Sequence, residues 1–318
     1  MTTSAPFAAK SISCRLYPHN DLDAPSIVRE VCAQAKLALD GGFDGIMTSE
    51  HHGGFAGYMP LPLQMVSFIL EDTERGWGAP CPLLLPLRPT AMVAEEIAWL
   101  DARHPGRVGL GVGSGALALD FTSMGLRLED ANPTFKAEFP KVVAMLRGEQ
   151  LGELEGDRAF QRCKTNPIPV LSTAVSPAAA RRAARNGAGI ILEGMSSMER
   201  QRELCDEFDK AGGTMSKVLI RRVWVGELPA AIIEQQRKVY ESYSNDAAQR
   251  HWPADQTIHS TDPAEVAERL ADALAQINAD AVNLRVHLPG VTPAQARDQI
   301  TRLAGEVVPQ LRARIGNV

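Results

Sequence analysis

The chain has 318 residues, of which 45% are hydrophobic and 22% charged, and its formal net charge is -5. That length builds one large α/β barrel or two ordinary domains, and the composition excludes disordered and fibrous classes. Without a basic block, a stretch near the roughly 20 apolar residues of a membrane span, or an apolar signal-peptide core in MTTSAPFAAKSISC, neither nucleic acid nor membrane is an expected partner, and a cytoplasmic protein is expected.

Along the chain, strand patterns alternate with helix patterns. Ser11 to Leu16 reads as a first strand and Ala24 to Leu39 as a helix with Asp23 as its N-cap. The stretch GFDGIMTSEHHGGFAGYMP, Gly42 to Pro60, places a short apolar strand around Ile46 and Met47 directly before Glu50, His51, His52 and a glycine-rich loop. In parallel α/β proteins functional groups gather at the carboxyl ends of strands, where the loops leave a crevice open. Alternation along extended backbone points His51 and His52 in different directions, which argues against their sharing one metal. Read from these residues alone, both are either functional groups or ordinary loop and core histidines.

Leu63 to Leu70 then reads as helix and Cys81 to Leu87 as a buried strand, with Pro82 and Pro86 calling for a bulge or a cis bond. Helix Ala91 to Leu100 and strand Val108 to Val112 follow. The run GVGSGALALDFTSMG is too irregular for one element, helix resumes around Phe135 to Leu146, and Glu149 to Pro169 is an excursion from the repeat. Strands at Val170 to Thr173, Gly189 to Leu192, Val218 to Val225 and Ala281 to Val286 alternate with helices at Pro177 to Arg185, Met198 to Lys210, Ala230 to Gln249, Pro263 to Ile277 and Ala294 to Leu311. Eight strand-helix units in a chain of this length predict a (β/α)8 TIM barrel with an insertion after strand four.

Two stretches are candidates for holding phosphate. Gly111, Gly113 and Ala116 match G-x-G-x-x-A, with Glu129 and Asp130 downstream, but no uninterrupted helix follows and three strand-helix units precede. Glycines that let backbone approach a ligand or a neighbouring strand are the better reading. In LSTAVSPAAARRAARNG, Ser176 is an N-cap and Pro177 a first helical residue, so the helix offers unpaired N–H groups and a positive dipole end to an anion; a simple capped helix has the same pattern. Five cysteines at wide spacings, with no CxxC, fit reduced thiols.

Taken together, GFDGIMTSEHH, PLLLPLRPTAMVAEEIAWLD, HPGRVGLGVGSG, PIPVLSTAVSPAAARRAARNGAG and TDPAEVAERL, in this order, resemble the luciferase-like flavin-dependent monooxygenases over nearly the whole chain. The resemblance implies a single barrel domain over residues 1–318, homodimeric, which takes reduced FMN from a separate reductase and uses O2 to oxygenate a small-molecule substrate. It implies catalytic roles for His51 and Glu50, and contacts to the cofactor from Pro82, Arg88, Gly113, Thr173, Ala174 and Ser176, with the bond into Pro82 as the cis candidate beside the flavin ring. Val112 stands where luciferase carries a reactive cysteine, which gives no support for light emission. Phe55, Tyr58, Met59, Phe121 and Met124 are candidates for an apolar pocket wall or for ordinary packing.

An F420-dependent oxidoreductase of the same fold is the near alternative. A non-catalytic flavin-binding protein and a metal-dependent hydrolase built on Glu50, His51, His52 and His287 are the distant ones.

Overall fold

The computed structural model describes residues 4–53, 59–243, 256–288 and 290–316. Its strands are β1 (Ile12–Arg15), β2 (Gly45–Thr48), β3 (Trp77–Pro80), β4 (Leu83–Leu84), β5 (Leu110–Gly113), β6 (Val170–Thr173), β7 (Gly189–Leu192), β8 (Lys217–Val225), β9 (Ile258–Ser260) and β10 (Ala281–Arg285). They pair in parallel in the order β3-β2-β1-β10-β8-β7-β6-β5-β4, and a bridge between Gly78 and Val108 joins the two ends into a barrel. Gly78 donates to the Arg107 carbonyl at 2.9 Å and accepts from Gly109 at 3.1 Å across that seam. With β3 and β4 as one interrupted stave, the barrel has the expected eight.

Helices α1 (Ala24–Asp40), α2 (Pro62–Glu71), α3 (Thr90–Arg103), α4 (Ala118–Thr122), α5 (Ala131–Met145), α6 (Arg158–Cys163), α7 (Pro177–Arg185), α8 (Met198–Lys210), α9 (Ala230–Tyr243), α10 (Pro263–Ile277), α11 (Pro293–Arg302) and α12 (Val308–Gly316) alternate with the strands. Their apolar faces pack on the outward-pointing strand residues, for example Ile46, Leu192 and Leu284, and that layer forms most of the core. The barrel interior is a separate, smaller cluster of Phe7, Met47, Trp77, Ala79, Cys81, Leu171, Ile191, Val218 and Ala281. Phe7 meets Trp77 edge to face at 5.2 Å, so the N-terminal segment packs into the barrel.

Four elements differ from the sequence reading. The third strand lies at Trp77–Pro80, not Cys81 to Leu87; the Cys81–Pro82 peptide is cis, and Leu85–Leu87 is a 3-10 turn. Proline has no ladder donor, so the apolar run after Pro82 supports only the short β4. Within the excursion between residues 149 and 169, Asp157 caps α6 by accepting from Ala159 and Phe160 N–H at 2.7 and 3.0 Å. β9, for which the sequence pattern offers no strand, pairs with the outer half of the long β8. The final helix is split by a π turn at Leu303–Val307. Phe55, Tyr58 and the expected helix end at Gln249 lie outside the described residues.

Candidate functional site

At the carboxyl end of β2 the backbone turns through Ser49 to His52, and three side chains there are fixed by buried ionic hydrogen bonds. Glu50, whose side chain has no exposure, takes Arg88 in a two-pronged pair, with Nη2 to Oε1 at 2.5 Å and Nη1 to Oε2 at 3.0 Å. Its oxygens also bond to Leu84 N–H at 2.6 Å and His52 Nε2 at 2.7 Å. Glu50 N–H donates to the Pro82 carbonyl at 3.1 Å. Glu50 therefore ties β2 to the segment that follows the cis peptide. Arg88 is held here rather than reaching out as an isolated cation, and a bidentate arginine fork fixes orientation as well as charge.

His51 points the other way. Its Nδ1 lies 2.8 Å from Oδ2 of Asp120, and Oδ1 of the same carboxylate accepts from His52 N–H at 2.7 Å. Asp120 sits in the five-residue α4 with its side chain fully buried, whereas His51 is 21% exposed. A carboxylate accepts and does not donate, so Asp120 places a proton on Nδ1 and makes Nε2 the basic nitrogen. Nothing in the sequence singles out Asp120, 69 positions from its partner in an irregular run.

Gly111 and Gly113 face the barrel interior. A Cβ on Gly111 would lie 2.1 Å from Cys81 Sγ, so the bare backbone is what lets β5 pass the cis peptide. A Cβ on Gly113 would lie 3.3 Å from Thr173 Oγ1 and 3.4 Å from Pro82 Cβ, which shows that Gly113, Thr173 and Pro82 converge. Ala174 is buried and donates to the Ile191 carbonyl at 3.1 Å. Ser176 caps α7, with Oγ accepting from Ala179 N–H at 3.3 Å. Beside it, Arg200 donates to the Val175 carbonyl at 3.1 Å and pairs with Glu203 at 2.5 Å, while its buried Nε has no hydrogen-bond partner. An anion at the α7 N-terminus would meet both the helix dipole and this guanidinium. The residues present thus fit a planar ring system carrying a phosphate: a glycine-lined shelf by a cis peptide, then a capped helix start.

Of the pocket-wall candidates, Met59 and Phe121 are buried and Met124 is 46% exposed. Among the described residues no three His, Cys, Asp or Glu side chains are grouped to hold a metal ion. His287 lies beyond β10, stacked on Tyr17 at 5.6 Å and edge-on to His19 at 4.5 Å. Burial holds its pKa well below 6.5, with His19 and Arg285 adding to the shift. All five cysteines are free and buried, and burial pushes the thiol of Cys81 up to about 11. No described helix is long and apolar enough to cross a membrane.

Known proteins share the sequence pattern and the fold. An F420-dependent glucose-6-phosphate dehydrogenase of Beutenbergia cavernae is 30% identical over 271 residues, 77% of this chain and 76% of the relative. A monooxygenase from Streptomyces bottropensis superposes with a TM-score of 0.75 at 19% identity, covering 94% of this chain and 99% of that one. The oxygenating constituent of 3,6-diketocamphane monooxygenase from Pseudomonas putida, solved in complex with FMN, gives 0.74 at 16% identity, covering 96% and 99%. The model of the luciferase-like monooxygenase family matches residues 12–308, and the chain belongs to that family.

Proposed function

We propose that this protein is a flavin-dependent monooxygenase, which takes reduced FMN from a separate reductase and uses O2 to oxygenate a small organic substrate, with His51 as its proton-handling group. The observation that carries the reading is the Asp120–His51 pair at the mouth of a barrel whose interior shelf and capped helix fit a flavin phosphate. Bound there, the reduced flavin would supply the electrons and the point of attack for oxygen. Gly113, Pro82 and Thr173 would seat the ring, and Ser176 with Arg200 would hold the phosphate. Asp120 keeps the proton on Nδ1, so His51 Nε2 can take a proton from an oxygen at the mouth or return one. Glu50 acts by position: with Arg88 and Leu84 it locks to β2 the chain that follows the cis peptide.

A second reading, an F420-dependent dehydrogenase, is favoured by the similarity to the Beutenbergia cavernae enzyme. In it the same nitrogen of His51 would accept the proton of a substrate hydroxyl, and a bound F420 would supply the acceptor for the hydride of the adjacent carbon. Anaerobic titration with reduced FMN and, separately, with F420, followed by admission of oxygen, tests both. Saturable binding of reduced FMN and altered oxygen reactivity support the first reading, binding of F420 alone supports the second, and binding of neither overturns both.

A further inference from the structure

Arg15 ends β1 with its side chain inside the barrel. Ile12 and Cys14 pack outward into the helix layer, so alternation turns Arg15 to the inner face, in register between Met47 of β2 and Arg285 of β10. Only 1% of it is exposed. Its Nε donates to Asn283 Oδ1 at 2.6 Å, and its Nη1 to Ser49 Oγ at 3.0 Å and to the Cys81 carbonyl at 2.8 Å, while Nη2 meets Met47 Sδ at 3.7 Å. All four acceptors are neutral, and among the described residues no carboxylate pairs with Arg15.

A buried guanidinium is costly to desolvate, and neutral hydrogen bonds satisfy its donors without cancelling its charge. Glu50, one residue beyond Ser49, is engaged by Arg88, so that pair adds no net charge beside it. The charge is placed where it acts on the shelf. The carbonyl that Nη1 binds belongs to the peptide joining Cys81 to Pro82, and Pro82 Cβ lies 3.4 Å from where a side chain on Gly113 would begin. Burial raises the Cys81 thiol and the Arg15 charge pulls it back, as it also does at Cys14. At an effective dielectric of about 20, a unit charge still exerts an effect of about tenfold on a second one about 12 Å away.

The two forms of a flavin differ in charge at the ring. Two electrons and one proton added to the neutral oxidised ring leave an anion, whereas the phosphate is the same in both forms. A fixed cation by the ring therefore favours the reduced form, and the phosphate contacts cancel from the comparison.

We propose that Arg15 is the fixed cation that makes this barrel select reduced over oxidised FMN. It acts through the field at the shelf and not by contact with the substrate. The assignment rests on the flavin reading and deepens it: a protein supplied by a separate reductase has to tell the two forms apart, and the surface contacts at the α7 N-terminus cannot do so.

The test titrates the full-length protein with oxidised FMN in air and with reduced FMN under anaerobic conditions, and takes the ratio of the two dissociation constants. In Arg15→Gln the preference for the reduced form should fall about tenfold or more, equivalent to a midpoint potential lower by about 30 mV for the two-electron couple. Asn283→Asp sets a carboxylate against Nε with the arginine still in place, and it should lower the ratio in the same way. Arg15→Lys keeps the charge, and Ser49→Ala removes only a neutral acceptor; both should stay within about threefold of the wild type. If Arg15→Gln does not fold, Asn283→Asp against Ser49→Ala decides. An unchanged ratio in Arg15→Gln or Asn283→Asp, or an equal fall in Ser49→Ala, would overturn the proposal and leave the flavin reading standing. Binding of neither form by the wild type would overturn both.

Discussion

Exchanging Asp120 for asparagine isolates the role of the buried carboxylate, because the two side chains have nearly the same shape. In the native protein the carboxylate accepts from His51 Nδ1 at 2.8 Å and from His52 N–H at 2.7 Å, with no exposure to solvent. Hydrogen bonds to a charged group contribute about 1.5–3 kcal/mol and neutral ones about 1, so the exchange should cost about 1–2 kcal/mol of stability. The larger effect is on the imidazole. The amide oxygen will stay with His52 N–H, which has no alternative role, and the amide nitrogen will then face Nδ1 as a donor. His51 must answer by moving its proton to Nε2, which removes the basic lone pair from the position assigned to catalysis. Turnover should fall on the order of a hundred- to ten-thousandfold. The tautomer can be read without a substrate, by NMR of isotope-labelled histidine, alongside a urea titration for stability. An Asp120→Asn protein that keeps the native His51 tautomer and full activity would refute this account of the pair.

Three further perturbations follow from the geometry. Glu50→Gln breaks a buried two-pronged pair and should cost about 3 kcal/mol in urea denaturation; a loss under about 1 would mean that the Arg88 pair contributes little. Gly111→Ala places a methyl 2.1 Å from Cys81 Sγ and should prevent stable folding, whereas Gly113→Ala, with 3.3 Å to its nearest neighbour, should fold and bind reduced FMN more weakly; comparable melting of the two variants would contradict the packing described. His287 has its native pKa depressed by burial, so the unfolded chain binds a proton that the native chain does not as pH falls below about 6.5. Stability should therefore drop by up to about 1.4 kcal/mol per pH unit in that window and be unaffected above it. In His287→Gln the slope should shrink to the part due to His19 and His104, which burial depresses in the same direction; an unchanged slope would exclude His287 as its source.

The barrel was legible because its strands are buried on both faces and read as short apolar runs between glycine turns, and because the caps at Asp23 and Ser176 are local signals. Cys81 to Leu87 was misplaced since an apolar run reports burial, not the ladder bonds that Pro82 interrupts. Glu50, His51 and His52 stood out at a strand end. Their partners Arg88 and Asp120 come from a distant loop and from the short α4, and no spacing rule pairs residues across 69 positions. The register row of Arg15, Arg285 and Arg222 left a partial mark: ISCR and AVNLR each end in an arginine, whereas Arg222 lies inside β8, KVLIRRVWV. Recognising it needed the register, which only the sheet supplies.

The cysteine under the cis peptide bears on durability. A thiol raised to about 11 is ionised in about one molecule in ten thousand at pH 7, and it is the thiolate that peroxides attack. On the proposed flavin reading, a side chain so near the shelf would otherwise be the first casualty of every misfired cycle. Packed against Gly111 without solvent access, Cys81 should outlast the reactive species released beside it, and the catalyst's working life would be set elsewhere in the molecule.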